Sequence, residues 1–189
     1  MSQSASYSPR LVRVFVLSPG RSGSLTFVEA CSHIANFTAA HESRVRSVGH
    51  PRFAYPNDHI EADNRLTWFL GGLGAQERPD DRYVWLRRDR DAVVTSFLKR
   101  WRSTYRSGII EAFAHAIVMQ PNDWADDVRE DVVKFYVDTV ESNIAQFVEK
   151  REHMTVWLGS PDDFTRFWAW VGAEGDLKAA LETWATRHN

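Results

Sequence analysis

Residues 14–27, VFVLSPGRSGSLTF, bring a fixed positive charge, two glycines and several hydroxyls to the point where a buried strand gives way to a helix. Gly20 and Gly23 lie in the turn, and the helix opens on Ser24, Leu25 and Thr26. The first amides of a helix have no partner within it and bind anions readily. Glycine lets a backbone come close to a ligand. Ser22, Ser24 and Thr26 add hydroxyl donors, and Arg21 adds charge. A charge-assisted hydrogen bond contributes about 1.5–3 kcal/mol, and the helix end adds about 0.3–1 kcal/mol. Three or four such contacts hold a phosphate without help from net charge. The pattern is not the nucleoside-triphosphate loop GxxxxGK[ST]: its spacing is shorter, and no Lys precedes a Ser/Thr pair.

A second anion corner is expected in residues 83–100, YVWLRRDRDAVVTSFLKR. Arg87 and Arg88 leave a strand, while Thr95 and Ser96 lie one turn or more into the next helix. A guanidinium from the strand end and a hydroxyl from the helix can converge on one anion. Eight positions separate Arg88 from Ser96, and likewise Arg87 from Thr95, so either pair serves. A plain solvated charge run is the competing reading.

Side chains able to exchange a proton are expected at a neighbouring strand end. His41 and Glu42, in TAAHESR, stand there, with Arg44 just beyond. Asp63, Asn64 and Arg65, in IEADNRL, open a predicted helix and are candidates to face an acceptor, with His59 upstream as a weaker one. Ordinary loop and helix-face roles fit the same residues. The remaining histidines share no spacing that suggests a metal. Trp168 and Trp170, at helical spacing with Phe167, read first as core, and as acceptor-pocket rings second.

Arg21-Ser22-Gly23-Ser24 resembles the 5′-phosphosulfate loop of the PAPS-dependent sulfotransferases (PAPS is 3′-phosphoadenosine 5′-phosphosulfate), where Lys or Arg precedes Ser-Gly-Thr-Thr. Leu25 departs from the pattern, standing where a hydroxyl is frequent, and Thr26 is the compensating residue. The second segment resembles the same family's 3′-phosphate site, an Arg followed eight positions later by a Ser. The register RRDxxxxxxS selects Arg88 with Ser96, which we prefer; RxxRDxxxS selects Arg87 with Thr95. Asp91 is then the helix N-cap, with Asp89 nearby. The resemblance implies a P-loop-like sulfotransferase fold, PAPS as donor, adenosine 3′,5′-bisphosphate (PAP) as product and no metal. It implies that Arg21 stabilises the leaving phosphate oxygen. Glu42 followed by Arg44 resembles the Glu-x-Arg setting of some members, which favours Glu42 as base with His41 second. The resemblance covers the donor site alone. After about Met119 nothing matches, and the family's Arg-Lys-Gly loop over the nucleotide is not visible. Two other readings stay open: a P-loop phosphotransferase or kinase, and a non-catalytic nucleotide-binding module.

The elements that must position these residues follow from periodicity. Strands are predicted over residues 11–17, 37–40, 82–86 and 153–158. Helices are predicted over 22–36 and 60–73, from Asp91 through Trp101 and Tyr105, over 109–119, 133–148 and 161–171, and from Leu177 to Trp184, with a loop over 44–58 and a break at Pro121-Asn122-Asp123. Strands alternating with helices imply an α/β fold of three layers, with a central, mostly parallel sheet flanked by helices and a helix-rich C-terminal half. Ligands then sit at the carboxyl ends of the strands.

The 189 residues suit a single domain over 1–189, with residues 1–10 as a flexible tail. A net charge of −2 supplies no field for nucleic acid or an anionic membrane. No apolar run reaches the roughly 20 residues of a membrane span, and the polar start lacks a signal-peptide core. The one cysteine, Cys31, suits a reducing cytoplasm. The expected partner is a small-molecule or glycan acceptor. The chain is short for the family it resembles, so its acceptor pocket is either open or completed by a second subunit in a homodimer.

Overall fold

Val14, Val16, Phe15 and Leu17 are all buried, although a strand's alternate side chains point to opposite faces. In the structure, a computed structural model that describes residues 12–101, 108–120 and 125–186, they belong to β1, Arg13–Leu17. This strand is the centre of a five-stranded sheet. Its neighbours are β2 (Thr38–His41), β3 (His59–Ala62), β4 (Arg82–Arg87) and β5 (His153–Trp157), in the order β2-β3-β1-β4-β5. All four pairings are parallel. A parallel sheet is covered on both faces, which is why β1 reads as a continuous apolar run.

Val14, Val16, Val84, Leu86 and Val156 pack on one face against α1 (Ser24–Cys31), α6 (Pro161–Val171) and α7 (Leu177–Ala185). Phe27 of α1 meets Phe167 of α6 edge-on, with ring centroids 4.8 Å apart. Phe15, Leu17 and Tyr83 face the other way, onto α3 (Arg90–Trp101) and α5 (Asp126–Val148). That side also takes the short α2 (Leu70–Ala75) and α4 (Gly108–Ala112), the latter followed by a π-helical turn, Phe113–Ile117. Three layers result, as expected, with helices dominating the C-terminal half. No helix among the described residues is long and apolar enough to cross a membrane. The predicted tail over residues 1–10, Tyr105 and the Pro121-Asn122-Asp123 break lie outside the described residues.

Three expectations are corrected. Residues 60–73 do not form one helix: His59–Ala62 is β3, Asn64–Trp68 is a 3-10 turn, and only Leu70–Ala75 is α-helical. Of the helically spaced Leu66, Phe69, Leu70 and Leu73, only Leu70 and Leu73 lie in α2; Leu66 belongs to the 3-10 turn and Phe69 stands between the two. The strand was hidden because His59 and Glu61 are buried with polar partners, so the alternation looked solvent-facing. The helix expected over 22–36 ends at Cys31, and Ile34 instead bridges Gly175. The cap of α3 is Asp89, not Asp91: Asp89 Oδ1 accepts from the Ala92 amide at 2.8 Å, while Asp91 sits exposed in the first turn.

The site is fixed by where the helices go. From β1 the chain crosses to α1 on one face, and from the adjacent β4 it crosses to α3 on the other. The two connections diverge above neighbouring strand tips, the switch-point position where α/β sheets bind ligands.

Candidate active site

The turn after β1 is built from backbone conformations that side chains resist. Gly20 and Gly23 have φ of 89° and 87°. A Cβ on Gly20 would lie 2.8 Å from Asn64 Nδ2, and one on Gly23 would lie 2.4 Å from Leu158 Cδ1. Between them Arg21, a non-glycine residue, has φ 56°. That strained conformation is sustained by its surroundings. Arg88 Nη1 donates to the Arg21 carbonyl at 3.0 Å. The Tyr136 hydroxyl donates to the Pro19 carbonyl at 2.8 Å. The Ser22 hydroxyl turns inward, fully buried, and donates to the Gly20 carbonyl at 3.2 Å.

The three expected hydroxyls therefore have different fates. Ser22 supports the turn and Thr26 is buried. Ser24 is half-buried at the opening of α1, with its Oγ 2.9 Å from His41 Nε2. Leu25 is exposed beside it.

The second corner reaches the first. Arg21 Nε donates to Ser96 Oγ at 2.9 Å, joining the β1 turn to α3. Arg88 and Ser96 thus both contact Arg21, from the strand tip and from the helix. The alternative pair goes elsewhere. The Arg87 guanidinium lies between the rings of Trp85 and Trp157, 4.6 Å from each centroid, beside Glu141. Thr95 is on the exposed side of α3. Burial, then the charges of Arg100 and Arg88, lower the Arg21 pKa. Arg100 was missed in the sequence, where it looks like the end of a solvated charge run. Its place four residues after Ser96 was the available signal.

On the other side of the turn, β2 delivers His41 and Glu42. Glu42 also carries a left-handed backbone, φ 53°, and its amide donates to the Ala62 carbonyl at 3.0 Å. The next residue locks it. Glu61, fully buried, accepts from the Ser43 amide at 2.7 Å and from the Ser43 hydroxyl at 2.6 Å. His59 Nε2 lies 3.1 Å from the same carboxylate, and His59 Nδ1 lies 2.7 Å from Thr38 Oγ1. A carboxylate only accepts, so in neutral His59 the proton sits on Nε2 and Thr38 donates to Nδ1. Glu61 carried no recognisable signal because it stands in the strand that was read as a helix.

Arg65, from the 3-10 turn, pairs with Glu42 across 2.6 Å. Its side chain is 42 % exposed and that of Glu42 28 %, so the pair borders solvent. Asn64 packs beneath Gly20. Asp63 does not face an acceptor: it is fully buried, bound by Arg52, and accepts from the Arg65 amide at 2.8 Å as cap of the 3-10 turn. Burial raises the Asp63 pKa, and Arg52 acts against that rise. Arg44 donates to the Pro51 carbonyl at 3.3 Å and lies over the Tyr55 ring. Trp168 is core, and Trp170 lies against Arg82 at the start of β4, far from the strand tips.

The strand tips thus carry one continuous array. Arg88 and Ser96 stand on one side of the Arg21 turn, and His41, Glu42 and Arg65 on the other. It can bind anionic oxygens on one side and exchange a proton on the other. Among the described residues no group of three or more His, Cys, Asp or Glu is placed to hold a metal ion. A surface groove of about 420 Å³ between the 3-10 turn, α2 and α5 is lined by none of these residues.

The same arrangement of strands and helices occurs in solved structures. A sulfotransferase domain from the curacin biosynthetic pathway superposes with a TM-score of 0.63 over 93 % of this chain and 78 % of that one, at 11 % identity. A mouse sulfotransferase complexed with PAP superposes with a TM-score of 0.56 over 95 % of this chain, at 13 % identity.

The chain has the sulfotransferase fold.

It spans 65 % of the length of the mouse sulfotransferase. No protein-family model matches the chain, and no curated protein matches its sequence. Within the sulfotransferase fold of this chain, the Arg21 turn, the Arg88–Ser96 corner and the His41–Glu42 edge occupy three tips of one parallel sheet.

Proposed function

We propose that the chain is a sulfotransferase that moves a sulfuryl group from PAPS to a hydroxyl or amine of a small-molecule or glycan acceptor. One observation carries this reading: the β1 turn and the β4–α3 corner meet at Arg21, Arg88 and Ser96, so one bisphosphorylated nucleotide can reach both. The PAP held by the mouse sulfotransferase supports the choice of ligand.

In this reading the amides at the start of α1, with the Ser24 hydroxyl, take the 5′-phosphosulfate end. Arg88 and Ser96 take the 3′-phosphate. The acceptor oxygen or nitrogen forms a bond to sulfur as the bond from sulfur to the bridging phosphate oxygen breaks. Arg21 stabilises the charge that grows on that oxygen. Glu42 receives the acceptor proton, with His41 as the other candidate. Arg65 beside Glu42 and Arg44 border the acceptor side. No step asks for a metal. The turn lacks the Lys and Ser/Thr pair of the nucleoside-triphosphate loop, which argues against a phosphotransferase.

The test is PAP release from PAPS over a broad acceptor panel, with a chelator present, for wild type and Arg21→Ala. Turnover by wild type that falls about 100-fold or more in the variant supports the proposal. PAP binding without turnover points to a nucleotide-binding module. Magnesium-dependent turnover of ATP points to a phosphotransferase.

A further inference from the structure

Glu61, Ala62 and Asp63, where β3 ends, each hold a different part of the Glu42 edge. The Glu61 carboxylate accepts from the Ser43 amide and hydroxyl. The Ala62 carbonyl accepts from the Glu42 amide. The Asp63 carboxylate accepts from the amide of Arg65, whose guanidinium pairs with Glu42. Glu42 thus has its own amide, the next amide and its ion-pair partner fixed from one strand end. Its backbone, at φ 53°, is one that a glutamate keeps only where its surroundings impose it. Glu61 is fully buried, where a charge is costly unless its oxygens are taken. His59 Nε2 takes part of that capacity, and His59 is itself held by Thr38 and stacked on the Tyr55 ring, with centroids 5.9 Å apart. The Tyr55 hydroxyl accepts from Arg52, which binds Asp63, so the two carboxylates belong to one network. Apolar side chains in place of Glu61 and His59 would serve packing as well or better. They could not accept from Ser43.

We infer that Glu61 is a positioning residue for the base: through Ser43 it holds Glu42 in the left-handed turn that aims its carboxylate at the acceptor side. The inference rests on the reading of Glu42 as base and adds the residue that sets its geometry.

The experiment compares Glu61→Ala, Glu42→Gln and the double variant, by PAP titration and by steady-state kinetics on an acceptor that the wild type turns over. Glu61→Ala should lower kcat about 100-fold, the cost of a misplacement of about 1 Å. PAP affinity and the KM for PAPS should stay within about twofold. Added to Glu42→Gln, the same substitution should lower kcat less than about threefold, because the group it positions is already gone. A merely structural role would lower kcat by the same factor in both backgrounds. Glu61→Gln keeps an oxygen that can accept from the Ser43 amide and should restore most of the rate. Ser43→Ala, at an exposed position, serves should Glu61→Ala fail to fold. It removes the hydroxyl contact and should lower kcat about tenfold. Unchanged kcat in the Glu61→Ala and Ser43→Ala variants, or an equal loss in the Glu42→Gln background, overturns the inference while leaving Glu42 as base. Normal kcat in Glu42→Gln, or no turnover by wild type on any acceptor, removes the reading of Glu42 as base and this inference with it.

Discussion

Arg21 Nε and Ser96 Oγ, 75 positions apart in the chain, meet at 2.9 Å. That contact ties the first turn of the sheet to the helix after β4, and it makes two separate anion corners into one site. Ser96→Ala should lower affinity for adenosine 3′,5′-bisphosphate about tenfold, the scale of one hydrogen bond to a charged group. Thr95→Ala, on the exposed side of α3, should change it less than twofold. A fluorescence or calorimetric titration of both variants checks this, and the reverse ranking would restore the Arg87–Thr95 register.

Glu42 and His41 make separable predictions. Glu42→Gln should leave bisphosphate affinity within twofold and cut kcat about 10²- to 10⁴-fold, the range for a general base. His41→Gln should mainly weaken donor binding, because His41 contacts Ser24 of the phosphate turn. Steady-state kinetics with a binding assay decides between them. If His41→Gln removes the rate and Glu42→Gln does not, His41 is the base.

Gly23 bears two demands, a φ of 87° and the close approach of Leu158. A left-handed backbone costs a non-glycine residue about 1–2 kcal/mol, and the clash adds to it. Gly23→Ala should therefore lower both stability and donor affinity. Adding Leu158→Ala should relieve the clash but not the backbone strain, giving partial recovery in thermal unfolding and in titration. Full recovery would mean that the conformation of Gly23 is not required.

Asp163 gives a pH-dependent prediction. Burial pushes its pKa up, but the Trp157 amide at 2.9 Å, Arg166 and Ser160 outweigh it, so the folded value lies below the ordinary one. A carboxylate with a depressed folded pKa contributes stability above its unfolded pKa of about 3.9, and that stability is lost as pH falls through the folded value. Asp163→Asn should cost about 2 kcal/mol at pH 7 and progressively less below about pH 4. Urea unfolding at both pH values measures it. An equal cost at both would show that packing, not charge, is what the residue supplies.

The parallel sheet and the Arg21 turn were legible because both follow from local chemistry: β-branched runs, a glycine turn and hydroxyls at a helix start. The convergence of Arg88 with Ser96 was legible from their interval but not from any contact, since interval alone allowed Arg87 with Thr95 equally. The contacts of Arg88 and Ser96 with Arg21 separate the two registers, as does the aromatic clamp of Trp85 and Trp157 around Arg87, half of which β5 supplies from far along the chain. β3 was not legible because Glu61 is charged yet buried, its carboxylate used by Ser43 and His59. With β3 misread, Asp63 looked free to face an acceptor, whereas Arg52 and the Arg65 amide occupy it. Arg100 was passed over because a cation in a charge run reads as solvated until the helix shows which side it shares.

A crystal structure with adenosine 3′,5′-bisphosphate bound is the most direct measurement. The expected result places the 5′-phosphate on the amides of residues 22–26 and the 3′-phosphate between Arg88 and Ser96. A nucleotide bound elsewhere, or one whose 3′-phosphate projects into solvent away from α3, would contradict the single-site picture.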